Sequence, residues 1–404
     1  MLILRRSGRP VIPSEEVNHL PKYENPGPIE VSVVLPCLNE EESIGICIEK
    51  IQRAFSDHKI NGEIIVVDNG STDQSLRIVQ SYDNSVQCLT EPKRGYGATL
   101  RRGIDSARGK YVILGDADGT YDFLEIPRFV DLLRRGYELV MGSRFRGKIL
   151  PRAMSWSHRY IGNPILSGAL KLFFGGNVSD SHCGLRGFSR AAYAGTGLSA
   201  TGMEFASEIV MYALMKQLKI AEVPITYYPR RAKSKLSDFR DAWRHIRFML
   251  IYSPSYLFLF PGLALFLFGL AVTLRLAFGP IRIFGRSWDI HVMVMTSMST
   301  FLGWQIILLG VAAKSFARTI PLPQRPLTRK LLSALTLERS LALGLELIIL
   351  GVLLFGYVFY TWARSDFGSL AQVRTLLLCL MFIVMGVQTI FTSFFRSLIE
   401  IKNR

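Results

Sequence analysis

The sequence predicts an α/β domain built on a mostly parallel, Rossmann-like sheet, followed by a C-terminal α-helical transmembrane domain. Three observations predict it. Short β-branched runs alternate with helical patterns over roughly the first 235 residues, as expected of a sheet covered by helices on both faces. Beyond Ser255 the chain holds four apolar runs, each near the ~20 residues needed to cross the hydrocarbon core. Finally, the residues that follow successive strands are acidic or glycine-rich, and in open α/β sheets ligands bind at those strand ends.

After a proline-punctuated leader, 1–29, the run Val31 to Pro36 is β-branched and compact, which predicts a buried strand. A helix is expected from Glu40 to Phe55, a strand from Glu63 to Val67, and a turn at Asp68 to Ser71 that Ser71 or Thr72 caps into a helix. The alternation continues with helix Tyr96 to Ala107, strand Lys110 to Leu114, helix Ile126 to Arg135 and strand Glu138 to Met141. A helix ending at Phe174, a loop from Asn177 to Arg186, a helix from Met203 to Lys216 and a strand from Ala221 to Tyr228 complete the domain, 30–235. From Phe239, apolar Trp243, Ile246 and Leu250 recur at helical spacing with Arg240, Arg244 and Arg247 between them. This predicts an amphipathic helix in the membrane interface, 236–254.

The membrane domain, 255–404, is expected to hold spans at 255–278, 289–313, 340–363 and 374–395. Between the second and third spans lie Lys314, Arg318, Arg325, Arg329 and Lys330, against Arg282 and Arg286 in one flanking loop and Arg364 in the other. By the positive-inside rule this places the middle loop, both termini and the first domain in the cytoplasm. Met1–Leu4 followed by Arg5 and Arg6 is too short for a signal-peptide core and carries its charges on the wrong side, which agrees.

An apolar fraction of 49% excludes a predominantly disordered chain. The formal charge of +16 fits an anionic membrane or a phosphorylated substrate; without a recognition helix or an aromatic-basic platform, nucleic acid is not expected. The five cysteines include no C-x-x-C pair, so neither a disulfide framework nor a thiolate zinc site is predicted.

The strongest local signal is Asp116 and Asp118 directly after the strand Tyr111 to Leu114. Two carboxylates so close repel each other, and a hard divalent cation shared with a substrate diphosphate relieves the repulsion; an acidic turn is the plainer alternative. Asp68 closes the second strand, where a carboxylate can accept hydrogen bonds from a nucleobase or ribose or simply cap a turn. Pro36 to Glu42 follows the first strand, where acids also suit a helix N-terminus. Glu204 and Glu208 share a helical face, and His182 beside Cys183 reads as structural rather than as a metal pair.

In order, PCLNEEES, VVDNGSTD, GYGATLRRGI, GDADGTYD, GSRFRG and CGLRGF resemble a family 2 glycosyltransferase, most nearly the polyprenyl-phosphate sugar synthases such as dolichyl-phosphate mannose synthase. The resemblance covers about residues 30 to 250. It implies the GT-A fold, with Pro36, Asn39, Glu40, Asp68 and Gly95 around the nucleotide sugar and Asp116 and Asp118 on Mg²⁺ or Mn²⁺. It places Arg144, Arg159, Arg230, Ser234 and Lys235 at the acceptor phosphate, with Arg144 also counted as catalytic. Thr120 stands where some relatives have a Gln metal contact, leaving the third protein ligand unassigned.

The implied reaction is one inverting displacement that moves a hexose, glucose or mannose, from UDP-glucose or GDP-mannose to an undecaprenyl- or dolichyl-type phosphate at the cytoplasmic face. A processive polysaccharide synthase is the nearest alternative, although the chain has no Q-x-x-R-W sequence. A non-catalytic membrane scaffold is the alternative of a different class. Packing of the membrane helices between subunits would make the protein a homo-oligomer.

Overall fold

The computed structural model describes residues 28–82, 85–194, 196–231, 238–317 and 336–401. Its first part is a seven-stranded sheet in the order β3-β2-β1-β4-β6-β5-β7. The strands are β1 (Val31–Cys37), β2 (Gly62–Asp68), β3 (Val86–Thr90), β4 (Tyr111–Leu114), β5 (Leu139–Ile149), β6 (Arg186–Ser189) and β7 (Ile220–Tyr227). All pair in parallel except β6, which runs antiparallel to both β4 and β5.

The two-residue period of β1 divides the core. Val33 and Leu35 pack with Ile64 and Val66 against Ile48 and Ile51 of α1 (Ile44–Asp57) and Phe129 and Val130 of α4 (Ile126–Arg134). Val34 faces the other way, with Ile65 and Val67, toward Leu100 of α3 (Tyr96–Ser106), Leu166 of α5 (Asn163–Phe174) and Val210 of α7 (Phe205–Met215). Two shorter helices, α2 (Ser75–Gln80) and α6 (Arg190–Tyr193), complete this part.

Several local expectations are corrected. The first helix begins at Ile44, not Glu40, because Asn39 turns the chain with φ +52° and the 40–43 segment is spent on that turn. Neither Ser71 nor Thr72 caps α2; its N-cap is Gln74, and the Asp73 carboxylate accepts from Ser75 N at 2.9 Å instead. β5 extends well past Met141, through polar Arg144 to Lys148, because it is extended by pairing with β7 rather than by apolar burial. β3 and β6 were not anticipated; the four residues of β6, Arg186–Ser189, carry no apolar run, and only insertion between β4 and β5 makes them a strand.

α8 (Asp238–Ile251) turns His245 and Met249 inward and leaves Trp243 and Arg247 exposed. Before it, the stretch from Trp156 through a π-helical turn (His158–Gly162) and α5 exposes an apolar stripe of Trp156, Tyr160, Ile161, Ile165 and Leu172 along the chain. The stripe ends against the first span, where Tyr256 Oη donates to the Leu172 carbonyl at 2.6 Å.

Four helical segments are long and apolar enough to cross a membrane: Ser255–Ala277, which contains α9 (Phe260–Ala277), Ile290–Phe316 within α10 (Ile290–Ala317), Leu337–Arg364 as α11, and Val373–Ile399 within α12 (Val373–Ile401). The chain is a membrane protein. α9 packs on α10 and α11 on α12 with glycines at the contacts; a Cβ on Gly269 would lie 2.6 Å from the Thr296 carbonyl, and one on Gly386 2.5 Å from that of Gly344. Such close backbone approach is what small residues provide where apolar burial gives no driving force. A hairpin of β8 (Ile281–Ile283) and β9 (Arg286–Trp288) joins the first two spans and was not anticipated.

Candidate active site

The carboxyl ends of β1, β2 and β4 form the site. At the end of β1, Asn39 N donates to Ser71 Oγ at 3.0 Å and its Oδ1 accepts from Thr72 N at 2.7 Å, while Glu40 N donates to Ser75 Oγ at 2.8 Å. Pro36, the penultimate residue of β1, sits beside Val67 of β2. Asp68, last in β2, accepts from Gly70 N at 3.0 Å and Ser71 N at 3.2 Å, so its carboxylate shapes its own turn. The ends of β1 and β2 are thus brought together.

Asn69, read only as a turn residue, proves to be the clamp of this region. Its Nδ2 donates to the carbonyls of Glu91 at 2.8 Å and Lys93 at 3.0 Å, and its Oδ1 accepts from Gly95 N at 2.9 Å. Gly95 has φ +144°, and a Cβ there would stand 2.2 Å from the Thr201 carbonyl. Gly95→Ala is therefore expected to force apart the 91–97 loop and the 200–202 segment and to destabilise the protein by about 1–3 kcal/mol. A thermal midpoint equal to that of the unsubstituted protein would remove the constraint.

Asp116 and Asp118 flank a turn after β4, each with one oxygen already engaged. Tyr96 Oη donates to Asp116 Oδ1 at 2.8 Å, while Asp118 Oδ1 accepts from Thr120 Oγ1 at 2.6 Å and Thr120 N at 3.1 Å. Thr120, the departure from the Gln of some relatives, is buried and orients Asp118. Gly184 lies against the remaining Asp116 oxygen, since a Cβ on it would come within 2.3 Å of Oδ2. Asp118 Oδ2 faces Arg230 Nε at 3.5 Å, and Arg230 Nη2 donates to Glu40 Oε1. Arg230 thus ties the end of β1 to the end of β4 and stands over the carboxylates.

Burial pushes the Asp116 carboxyl up from 3.8 to about 6, and the Asp118 charge pushes the same way, while Tyr96, Arg186 and Arg230 pull it down. A pair of neighbouring carboxylates that resists ionising together fits a divalent cation. Among the described residues there is no cluster of three His, Cys, Asp or Glu that could hold a metal. Oxygen donors beyond this pair would then come from substrate and water.

The sign of the pH dependence follows. A carboxyl raised from 3.8 to about 6 by folding contributes stability that is full below 3.8 and lost as pH rises through about 6. A cation competes with that proton, so Mn²⁺ should raise the thermal midpoint more at pH 7.5 than at pH 5. An equal rise at both would separate the cation from Asp116.

The acceptor-side arginines part company. Arg144 is buried and spends Nε and Nη2 on Asp180, both at 2.7 Å, with its guanidinium 5.2 Å from the centre of the Tyr227 ring. The linear motif did not reveal this internal carboxylate, which already engages two of the three guanidinium nitrogens. Arg159 lies on the exposed stripe, 5.4 Å from the centre of the Tyr160 ring. Ser234 and Lys235 fall outside the described residues.

Glu208 and His182 are bonded within the fold. Glu208 accepts from Ser199 N at 3.1 Å and Ala200 N at 3.0 Å, and burial raises its pKa. His182 bonds two serines, Ser181 and Ser207, with no thiolate partner in either contact. Tyr96 and Asp180 were missed by sequence reasoning; a tyrosine opening the helix after Gly95 was the one available hint of the first.

A parallel-rich sheet with acidic strand ends, continuous with spanning helices, is the GT-A architecture of a sugar-transferring enzyme. The family model described as "Glycosyl transferase family 2" matches residues 32–196, and "Glycosyltransferase family 2 C-terminal transmembrane region" matches 311–400. The low-salt glycan biosynthesis hexosyltransferase Agl6 of Haloferax volcanii is 38% identical over 90% of this chain and 87% of its own. The dodecaprenyl-phosphate galacturonate synthase of Rhizobium johnstonii is 27% identical over 72% of this chain and 88% of its own. The dolichyl-phosphate hexose transferase of H. volcanii is 29% identical over 52% and 88% respectively. The chain belongs to glycosyltransferase family 2, and it is an enzyme related to the polyprenyl-phosphate sugar synthases.

Proposed function

We propose that the protein transfers a hexose, glucose or mannose, from UDP-glucose or GDP-mannose to a polyprenyl phosphate, in a metal-dependent, inverting reaction at the cytoplasmic membrane face. The observation that carries this reading is the Asp116–Asp118 pair under Arg230, in a domain whose α5 meets the first membrane span. The names of the relatives, which act on dolichyl and dodecaprenyl phosphates, supply the class of acceptor.

In this reading residues 30–235 catalyse, 236–254 lie in the interface and 255–404 cross the membrane four times, with both termini cytoplasmic. The excess of Lys and Arg between the second and third spans supports that orientation. Pro36, Asn39, Asp68 and Gly95 line the nucleoside side. Asp116 and Asp118 would hold Mg²⁺ or Mn²⁺, which when bound neutralises charge on the departing diphosphate.

The rest falls to the chain's own side chains. Arg230 offsets negative charge beside the carboxylates, and Tyr96 and Thr120 fix their angles. A phosphate monoester is already an anion at neutral pH, so the acceptor needs positioning rather than deprotonation, and the barrier falls mainly through alignment and charge stabilisation. Arg230→Ala should lower turnover on the order of 10²-fold, read as initial rate at saturating substrates; a change below threefold would take Arg230 out of the site.

The test is transfer by the full chain in vesicles containing polyprenyl phosphate, with Mn²⁺ or Mg²⁺ and radiolabelled UDP-glucose or GDP-mannose in separate reactions. Label in the organic phase is expected and names the donor. Label only in a long water-soluble polymer would mean a processive synthase, and no metal-dependent turnover with any nucleotide sugar would mean a scaffold.

A further inference from the structure

The loop Asp180 to Arg186 passes behind the carboxylate pair, with Gly184 against Asp116 and Gly184 N donating to Tyr121 Oη at 2.7 Å. A buried polar chain runs from this loop to α8. His182 Nδ1 meets Ser181 Oγ at 2.8 Å, His182 Nε2 meets Ser207 Oγ at 3.0 Å, and Ser207 Oγ meets His245 Nδ1 at 2.8 Å. Ser181 and Ser207 are fully buried, and the two imidazoles stack edge to face at 4.6 Å. At its far end Ser181 Oγ meets Ser167 Oγ of α5 at 3.0 Å, so the chain also touches the helix whose outer face is the apolar stripe.

A single hydroxyl shared by two imidazoles has directional consequences. Ser207 has one proton to donate, so at least one of the two rings must present an N–H to it. His182 is held neutral, its pKa pushed well below 6.5 by burial and then by His245, Arg186 and Arg144. The two rings thus meet at one buried hydroxyl, and rotating either breaks a buried hydrogen bond, a cost of the kind that makes such networks rigid. α8, which carries His245 on its inner face, exposes Trp243 and Arg247 on the outer one. An aromatic and a cation on one outward face are the means by which a helix seats in a headgroup layer.

We propose that Ser207 is a positioning residue for the carboxylate pair: through His182 and His245 it fixes the Asp180–Arg186 loop to α8, so that the membrane seating of α8 sets the cation-binding geometry at Asp116. This rests on the reading that Asp116 and Asp118 hold a divalent cation. Ser207 and His245 touch neither carboxylate in any contact described above, and act only through Gly184 and its loop.

The experiment measures Mn²⁺ affinity of the full chain in phospholipid vesicles for the parent protein, Ser207→Ala, Trp243→Gln and the double variant. Trp243→Gln weakens seating of α8 without entering the site. The expected result is that each single change weakens Mn²⁺ binding about fivefold to tenfold, and that the double variant is no weaker than Ser207→Ala, because the coupling path is already cut. His245→Asn, whose amide can replace Nδ1, should keep the parent affinity, while His245→Ala should match Ser207→Ala; this pair serves equally if Ser207→Ala does not fold. Unchanged Mn²⁺ affinity in folded Ser207→Ala, or additive losses in the double variant, would overturn the proposal. A parent protein that binds no Mn²⁺ would instead overturn the carboxylate reading and the proposal with it.

Discussion

Asp118→Ala should lower sugar transfer on the order of 10³-fold while leaving membrane insertion and the thermal midpoint nearly unchanged. Among the described residues the side chain removed bonds Thr120 and faces Arg230, so little packing is lost. What disappears, on the proposed reading, is one of the two carboxylates that would hold the cation, together with a charge that adds to burial in making Asp116 reluctant to ionise. The same variant should therefore bring the Asp116 carboxyl back toward its ordinary range, and Mn²⁺ should no longer raise the midpoint at pH 7.5. Turnover above a tenth of the parent rate at saturating Mn²⁺ would take Asp118 out of the cation site.

The second large effect is on stability. Arg144→Ala leaves Asp180 charged, fully buried and without its bidentate partner, a loss on the order of 3–5 kcal/mol. The expected outcome is a thermal midpoint lowered by several degrees, with the acceptor KM of the surviving folded enzyme unchanged. Pairing Arg144→Met with Asp180→Leu should recover much of the midpoint, since an apolar pair of similar volume replaces a buried ion pair at little cost. A raised acceptor KM with an unchanged midpoint would instead place Arg144 at the acceptor phosphate, as the resemblance implied.

These two residues show where sequence reasoning succeeds and where it stops. Asp116 and Asp118 were legible because both follow one strand directly and chain geometry alone keeps them together. Arg144 was legible as a charged residue after a strand, but its partner Asp180 lies 36 positions away, and no local pattern links them. Arg230 was read as an acceptor-phosphate residue in a basic loop; its contacts with Glu40, 190 positions away, and with Asp118 were not legible. Thr120 was noticed only as a departure from a motif, and its bond to Asp118 gives the departure a role.

The sequence by itself determined what depends on local period and composition: the strands β1, β2 and β4, the helices around them, the four helices long and apolar enough to cross a membrane, and the carboxylate pair at one strand end. Burial of apolar faces sets all of these, and burial leaves its period in the chain. Tertiary structure alone decided the antiparallel insertion of β6, the extension of β5, the closure of Arg144 by Asp180, and the Ser207 hydroxyl shared between His182 and His245. Those features are pairings between distant polar groups, which must be satisfied once buried but leave no periodic trace along the sequence.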